Sequence, residues 1–146
     1  MKILVVLLTV TLFVSCAPDK EHSMNDLFGS WKNSTLKVEM IGGREDSLLL
    51  VQKGEWEKVL GIKPIITNFN SDSTFSSDYY TLDDQLFHTS IGVWWIRNDS
   101  LVMLTEEGET VYKYKMEGNK IEFTSTLDWN VDGNLDSYQG TQIRVD

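Results

Sequence analysis

The sequence predicts an all-β domain, a meander of eight to ten antiparallel strands joined up and down. Two observations carry this expectation. From Leu36 onward apolar and polar residues alternate in short runs, the period-two signature of strands buried on one face. Turn residues separate the runs at even intervals, at Asn70-Ser71-Asp72-Ser73, Asn98-Asp99, Glu107-Gly108 and Gly118-Asn119. A length of 146 residues bounds the chain to one domain.

The first element stands apart from that domain. Ile3 to Val14 are apolar except for Thr9 and Thr11, with Lys2 before them and the small Ser15 and then Cys16 after them. A positive start, a short apolar run and a small residue before the cut form the pattern of a secretory signal, here residues 1–15. The run is too short for a bilayer-spanning helix, which needs roughly 20 residues. Phe13-Val14-Ser15-Cys16 resembles the lipobox of bacterial lipoproteins, with Phe13 where leucine is usual. The resemblance implies cleavage before Cys16, lipid on its sulfur and on its new amine, and a mature chain anchored in the cell envelope of a gram-negative bacterium. The outer membrane is the expected site, at its periplasmic or surface face. Several acyl chains hold firmly where one anchors marginally. Residues 16–26 then read as the lipidated cysteine and a flexible polar tether, and residues 27–146 as the domain.

Charge narrows the partners. Removal of residues 1–15 leaves 12 Lys and Arg against 22 Asp and Glu, a net charge of −10. Such a surface repels nucleic-acid phosphates and anionic headgroups, so nucleic acid is excluded as a partner and the membrane is reached through the lipid alone. Cys16 is the single cysteine, so an acylated chain has no thiol for a disulfide, a redox pair or a thiolate zinc site.

Along the domain, Leu36, Val38 and Met40 face one way and Lys37 and Glu39 the other. Strands are expected at Ser47–Val51, Ile65–Phe69, Thr74–Tyr80, Val93–Arg97, Leu101–Thr105, Val111–Met116, Lys120–Leu127 and Ser137–Val145. Residues 54–64, GEWEKVLGIKP, break the alternation: Trp56, Val59 and Leu60 share a helical face, Gly61 sits at the C′ position and Pro64 follows. They read as a short helix capping one end of the sheet; a plain loop is the alternative, since so few residues hold a helix only when packed.

Leu27-Phe28-Gly29-Ser30-Trp31 resembles the Gly-x-Trp signature of lipocalins and the wider calycin group. The resemblance implies that Gly29 lets the chain turn under a barrel, that Trp31 plugs its closed end, and that Arg144 on the last strand stacks across the indole. FNSDSTFSSDYYTL at 69–82 and GVWWIRNDSLVML at 92–104 are similar to a paired run in lipocalin-like domains of bacterial envelope lipoproteins, with Ser73 in place of the turn glycine. The implied fold is an antiparallel up-and-down β-barrel of about eight strands with a short capping helix.

Asp128, Asn130, Asp132 and Asp136 take the first, third, fifth and ninth places of an EF-hand-like loop with Gly133 sixth, a spacing of hard oxygen ligands that suits Ca²⁺. Gln139 stands where the bidentate glutamate belongs, and an acidic hairpin turn is the competing account. Trp56, Trp94, Trp95 and Trp129 are candidates to line an apolar cavity or stack on sugar rings. Trp94 and Trp95 must face opposite sides of their strand. His22, His88 and the acidic turns at Asp83-Asp84 and Glu106 to Glu109 show no catalytic spacing, and no enzyme activity is expected.

These observations support a lipid-anchored envelope protein that binds a small apolar or amphipathic molecule in the open end of its barrel. The alternative is a non-catalytic surface module for glycan or another envelope protein. An apolar cavity of a few hundred Å³ separates the first from the second, which needs only a packed interior.

Overall fold

The computed structural model describes residues 24–42 and 47–145. The expected signal sequence, Cys16 and most of the expected tether lie outside the described residues. Nine strands form one antiparallel sheet: β1 (Gly29–Met40), β2 (Ser47–Val51), β3 (Ile66–Phe69), β4 (Thr74–Tyr80), β5 (Leu86–Arg97), β6 (Ser100–Thr105), β7 (Gly108–Glu117), β8 (Lys120–Leu127) and β9 (Asp136–Val145). Each pairs with the next from β3 onward, and β9 returns to pair with β1, so the sheet closes into a barrel.

Nine strands make eight staves because β2 and β3 share one. The first residues of β1, Gly29 to Lys32, pair with β3, while Leu36 to Met40 pair with β2 along the same edge. The chain between them carries the helix α2 (Trp56–Leu60), which ends at Gly61 in the left-handed conformation, φ 68°. The structure thus decides for a helix over a loop at 54–64. It packs as that argument requires: Trp56 is buried against Leu36, Val38 and Val51, whereas Val59 is exposed.

Alternation alone would put Trp31 and Leu36 on opposite faces of β1. A bulge between Asn33 and Thr35 inserts one residue against β9, and the face switches. Trp31 and Asn33 before it, and Leu36 and Val38 after it, all point inward.

The strand expectations hold for β2, β4 and β8 to the residue and are one residue off at the start of β3, β6 and β9. β5 begins at Leu86, seven residues earlier than expected. Its first half, LFHTSIG, carries apolar and polar groups without the alternation of a buried face. Leu86, Phe87 and Ile91 are exposed there because β6 ends opposite Val93. A second difference lies at the start of the domain. Met24–Leu27 form a turn of helix, α1, and Leu27 is buried, so helix and core packing occur inside the stretch expected to be tether.

One end of the barrel is solid. Leu27, Trp31, Phe69, Phe75, Trp94 and Leu101 form its core. The Arg144 guanidinium lies 4.4 Å from the centre of the Trp31 ring, and the indole N–H donates to the Leu27 carbonyl at 2.8 Å. Gly29 takes a φ of 115° there, and a Cβ on it would come within 2.9 Å of Arg144 Nη1. Ser73, at the position where the resemblance places glycine, adopts φ 67°; its neighbour Asp72 holds the turn by accepting from the Thr74 N–H at 3.0 Å.

Candidate functional site

The other end is hollow. β1, β4, β6 and β8 have their ends or beginnings at Trp31, so the 81–85, 106–107 and 128–135 connections all gather at the opposite mouth, together with α2. Beneath them lies a cavity of about 400 Å³. Its walls are inward positions of the strands: Leu36 of β1, Phe69 of β3, Met103 of β6 and Phe123 of β8. α2 roofs it with Trp56 and Leu60, and Trp129 from the 128–135 connection closes one side by stacking on Tyr138, centroids 5.9 Å apart.

The lining is apolar with a few polar groups set into it, the composition of small-molecule sites. Thr67 and Ser77 share a hydrogen bond at 2.9 Å across β3 and β4. Gln142 donates from Nε2 to Asn33 Oδ1 at 2.7 Å, which leaves its buried Oε1 without a partner. Trp56 is 3 % exposed, and its Nε1 has no partner either. Buried polar groups are almost always satisfied, and leaving one unmet costs about 1–3 kcal/mol. Both residues belong to the lining of the one cavity.

Three tyrosines complete the wall, Tyr79, Tyr112 and Tyr138. Burial pushes the Tyr112 hydroxyl up to about 12, with the Tyr79 phenol adding to it. Burial raises Tyr138 as well, aided by Tyr112 and Tyr79. The unfolded chain releases these protons near pH 10, while the folded barrel keeps them. The associated stability is therefore complete below pH 10 and is lost as pH rises through the folded values. Thermal melts are expected to be level up to about pH 9.5 and then to fall, each retained proton removing on the order of 1.4 kcal/mol per pH unit. Tyr112→Phe should flatten that fall; a melting temperature that holds to about pH 11.5 in the native chain contradicts the assignment.

Of the four candidate tryptophans the structure brings two to the cavity, Trp56 and Trp129. Trp94 belongs to the solid end instead: it is fully buried against Phe28 and Phe69, and its N–H donates to the Thr74 carbonyl at 3.1 Å. Trp95 points outward, as the alternation of adjacent residues requires, opposite Val102.

Of the four candidate calcium ligands, Asp128, Asn130 and Asp132 share one turn and Asp136 is engaged elsewhere. Asp128 accepts from the Asp132 and Gly133 N–H groups at 2.9 Å each, and Asp132 from the Asn134 N–H at 2.8 Å, while Asn130 donates to Asp132. Asp136 turns away from the loop and is fully buried, its two oxygens accepting from Ile41 N at 3.0 Å and Trp129 N at 2.9 Å. The loop is a self-bonded acidic turn, the competing account of this stretch. Among the described residues no three acidic, histidine or cysteine side chains converge on a metal-sized centre.

Sequence reading passed over Asn33, Thr67, Ser77, Tyr138 and Gln142. A signal was present for three of them: counting back from Arg144 by twos places Gln142 and Tyr138 on the face of the barrel-closing arginine. Asn33 carried the same signal, since it lies two residues after Trp31 and ahead of the bulge.

Fold and site together define a closed antiparallel barrel with one plugged end and one ligand-sized interior. No protein-family model and no curated protein matches the chain.

Proposed function

We propose that the protein is a lipid-anchored, lipocalin-like carrier or receptor of the gram-negative cell envelope, holding a small apolar or amphipathic molecule in the open half of its barrel. The observation that carries the reading is the cavity of about 400 Å³ between α2 and the Trp31 plug. A module that works only by its outer surface has no need of such a space, since interiors otherwise close-pack and voids are costly. The anchor is supported by the lipobox-like Phe13-Val14-Ser15-Cys16 and by the acidic surface, which keeps the domain off anionic headgroups.

Binding is tested with N-phenylnaphthylamine, whose fluorescence rises in apolar surroundings. Saturable binding by the full chain is expected, and Ser77→Phe, which fills the space beside Thr67, should abolish it. Equal binding by that variant places the dye outside the barrel and sinks the reading in favour of the surface module for glycan or protein. Mass spectrometry of the mature N-terminus tests the anchor separately: an acylated Cys16 is expected, and an unmodified chain starting elsewhere removes it.

A further inference from the structure

We propose that the cavity selects a neutral amphiphile, an apolar body ending in a group that both accepts and donates a hydrogen bond, such as a primary amide or a hydroxyl, and that it discriminates against fatty anions and against cations. This rests on the carrier reading above.

The first ground is what the wall contains. No Asp, Glu, Lys, Arg or His lies among its residues, and burial holds the tyrosine hydroxyls in their uncharged form. A charged head drawn inside would lose its water with no opposite charge in return, a far larger cost than burying a neutral polar group.

The second ground is what the wall lacks. Trp56 Nε1 is a buried donor with no acceptor, and Gln142 Oε1 is a buried acceptor with no donor. A carboxylate answers the indole but not the amide oxygen. A quaternary ammonium answers neither. A neutral amide or hydroxyl can answer either kind of demand without importing charge.

The third ground is the mouth. Three of its hairpin turns, at 81–85, 106–107 and 128–135, carry Asp83, Asp84, Glu106, Glu107, Asp128 and Asp132 without a lysine or arginine, and the β1–β2 connection has Arg44 beside Glu45 and Asp46 in sequence. The β2–β3 connection adds Lys53, Lys58 and Lys63 with Glu55 and Glu57, and Lys63 is already paired with Asp84 and Lys58 with Glu55. An approaching anion meets a field of its own sign. A cation is drawn to this rim and the aromatic wall offers it ring faces, yet it would leave the indole donor facing a positive charge.

The test is displacement of N-phenylnaphthylamine from the full chain at neutral pH by decanamide, decanol, decanoate and decyltrimethylammonium, which share one chain and differ in the head. Decanamide and decanol are expected to displace the dye at concentrations about tenfold lower than decanoate or the ammonium, the scale of one satisfied buried hydrogen bond. Trp56→Phe keeps a ring in place and removes the donor; with the dye's affinity for the variant measured alongside, it should weaken decanamide about fivefold relative to the dye. If that variant does not fold, the ranking on the native chain still decides. Decanoate or the ammonium displacing as well as decanamide overturns this inference and leaves the carrier reading standing. A dye that never binds overturns both.

Discussion

Trp31→Ala is expected to unfold the domain or bring it to the edge of unfolding. The indole is fully buried, so truncation opens a large hole in the solid end of the barrel, a change that costs about 3–5 kcal/mol in protein cores. It also deletes the hydrogen bond to Leu27 that seats α1 and the ring under the Arg144 guanidinium, a contact worth about 0.5–2 kcal/mol. Against a total stability of about 5–15 kcal/mol, that is a large share. Urea unfolding followed by circular dichroism measures it. Arg144→Met, which keeps an apolar cover over the ring but loses the donor to the Phe28 carbonyl, should cost less than Trp31→Ala. A loss below about 1 kcal/mol for Trp31→Ala would mean that the closed end is not held by the indole.

Asp136→Ala should have the second largest effect, and it should spread from stability to the cavity. The carboxylate binds two segments at once, the Ile41 N–H at the end of β1 and the Trp129 N–H in the mouth loop. Alanine leaves both N–H groups without their acceptor, at about 1–3 kcal/mol for each that stays buried, so a loss of about 3 kcal/mol is expected. Because Trp129 stacks on Tyr138 at the cavity wall, the variant should also release N-phenylnaphthylamine more readily than its lower stability alone explains. Asp136→Asn keeps one acceptor oxygen and should fall between. Calcium distinguishes the two accounts of this loop: with Asp136 turned inward, millimolar Ca²⁺ is expected to leave the melting temperature of the native chain unchanged. A calcium-dependent rise abolished by Asp136→Asn would restore the metal site.

The plugged end was legible because its parts are local or terminal. Gly29 and Trp31 sit two residues apart at the first strand, and Arg144 sits on the last, so any meander that closes on itself must bring them together. The hollow end was not legible in the same way. That Leu36 shares a face with Trp31 and Asn33 depends on a bulge, the roof depends on α2 folding back over the barrel, and the Thr67–Ser77 pair depends on a register between two strands that no spacing in the sequence announces. The acidic loop was ambiguous for a related reason. Alternate carboxylates suit a cation and a self-bonded turn equally, and only the packing places Asp136 against the β1 end.

By itself the chain's alternation determined that strands form, where most of them start and stop, and which face of each is apolar, since period-two burial is a local property of the backbone. It also determined that Trp94 and Trp95 part company. Only the closed sheet decided which inward residues meet a packed core and which meet empty space. That depends on the volume enclosed by eight staves and on where one extra residue in β1 turns the face over, and both are set by contacts between residues more than a hundred positions apart.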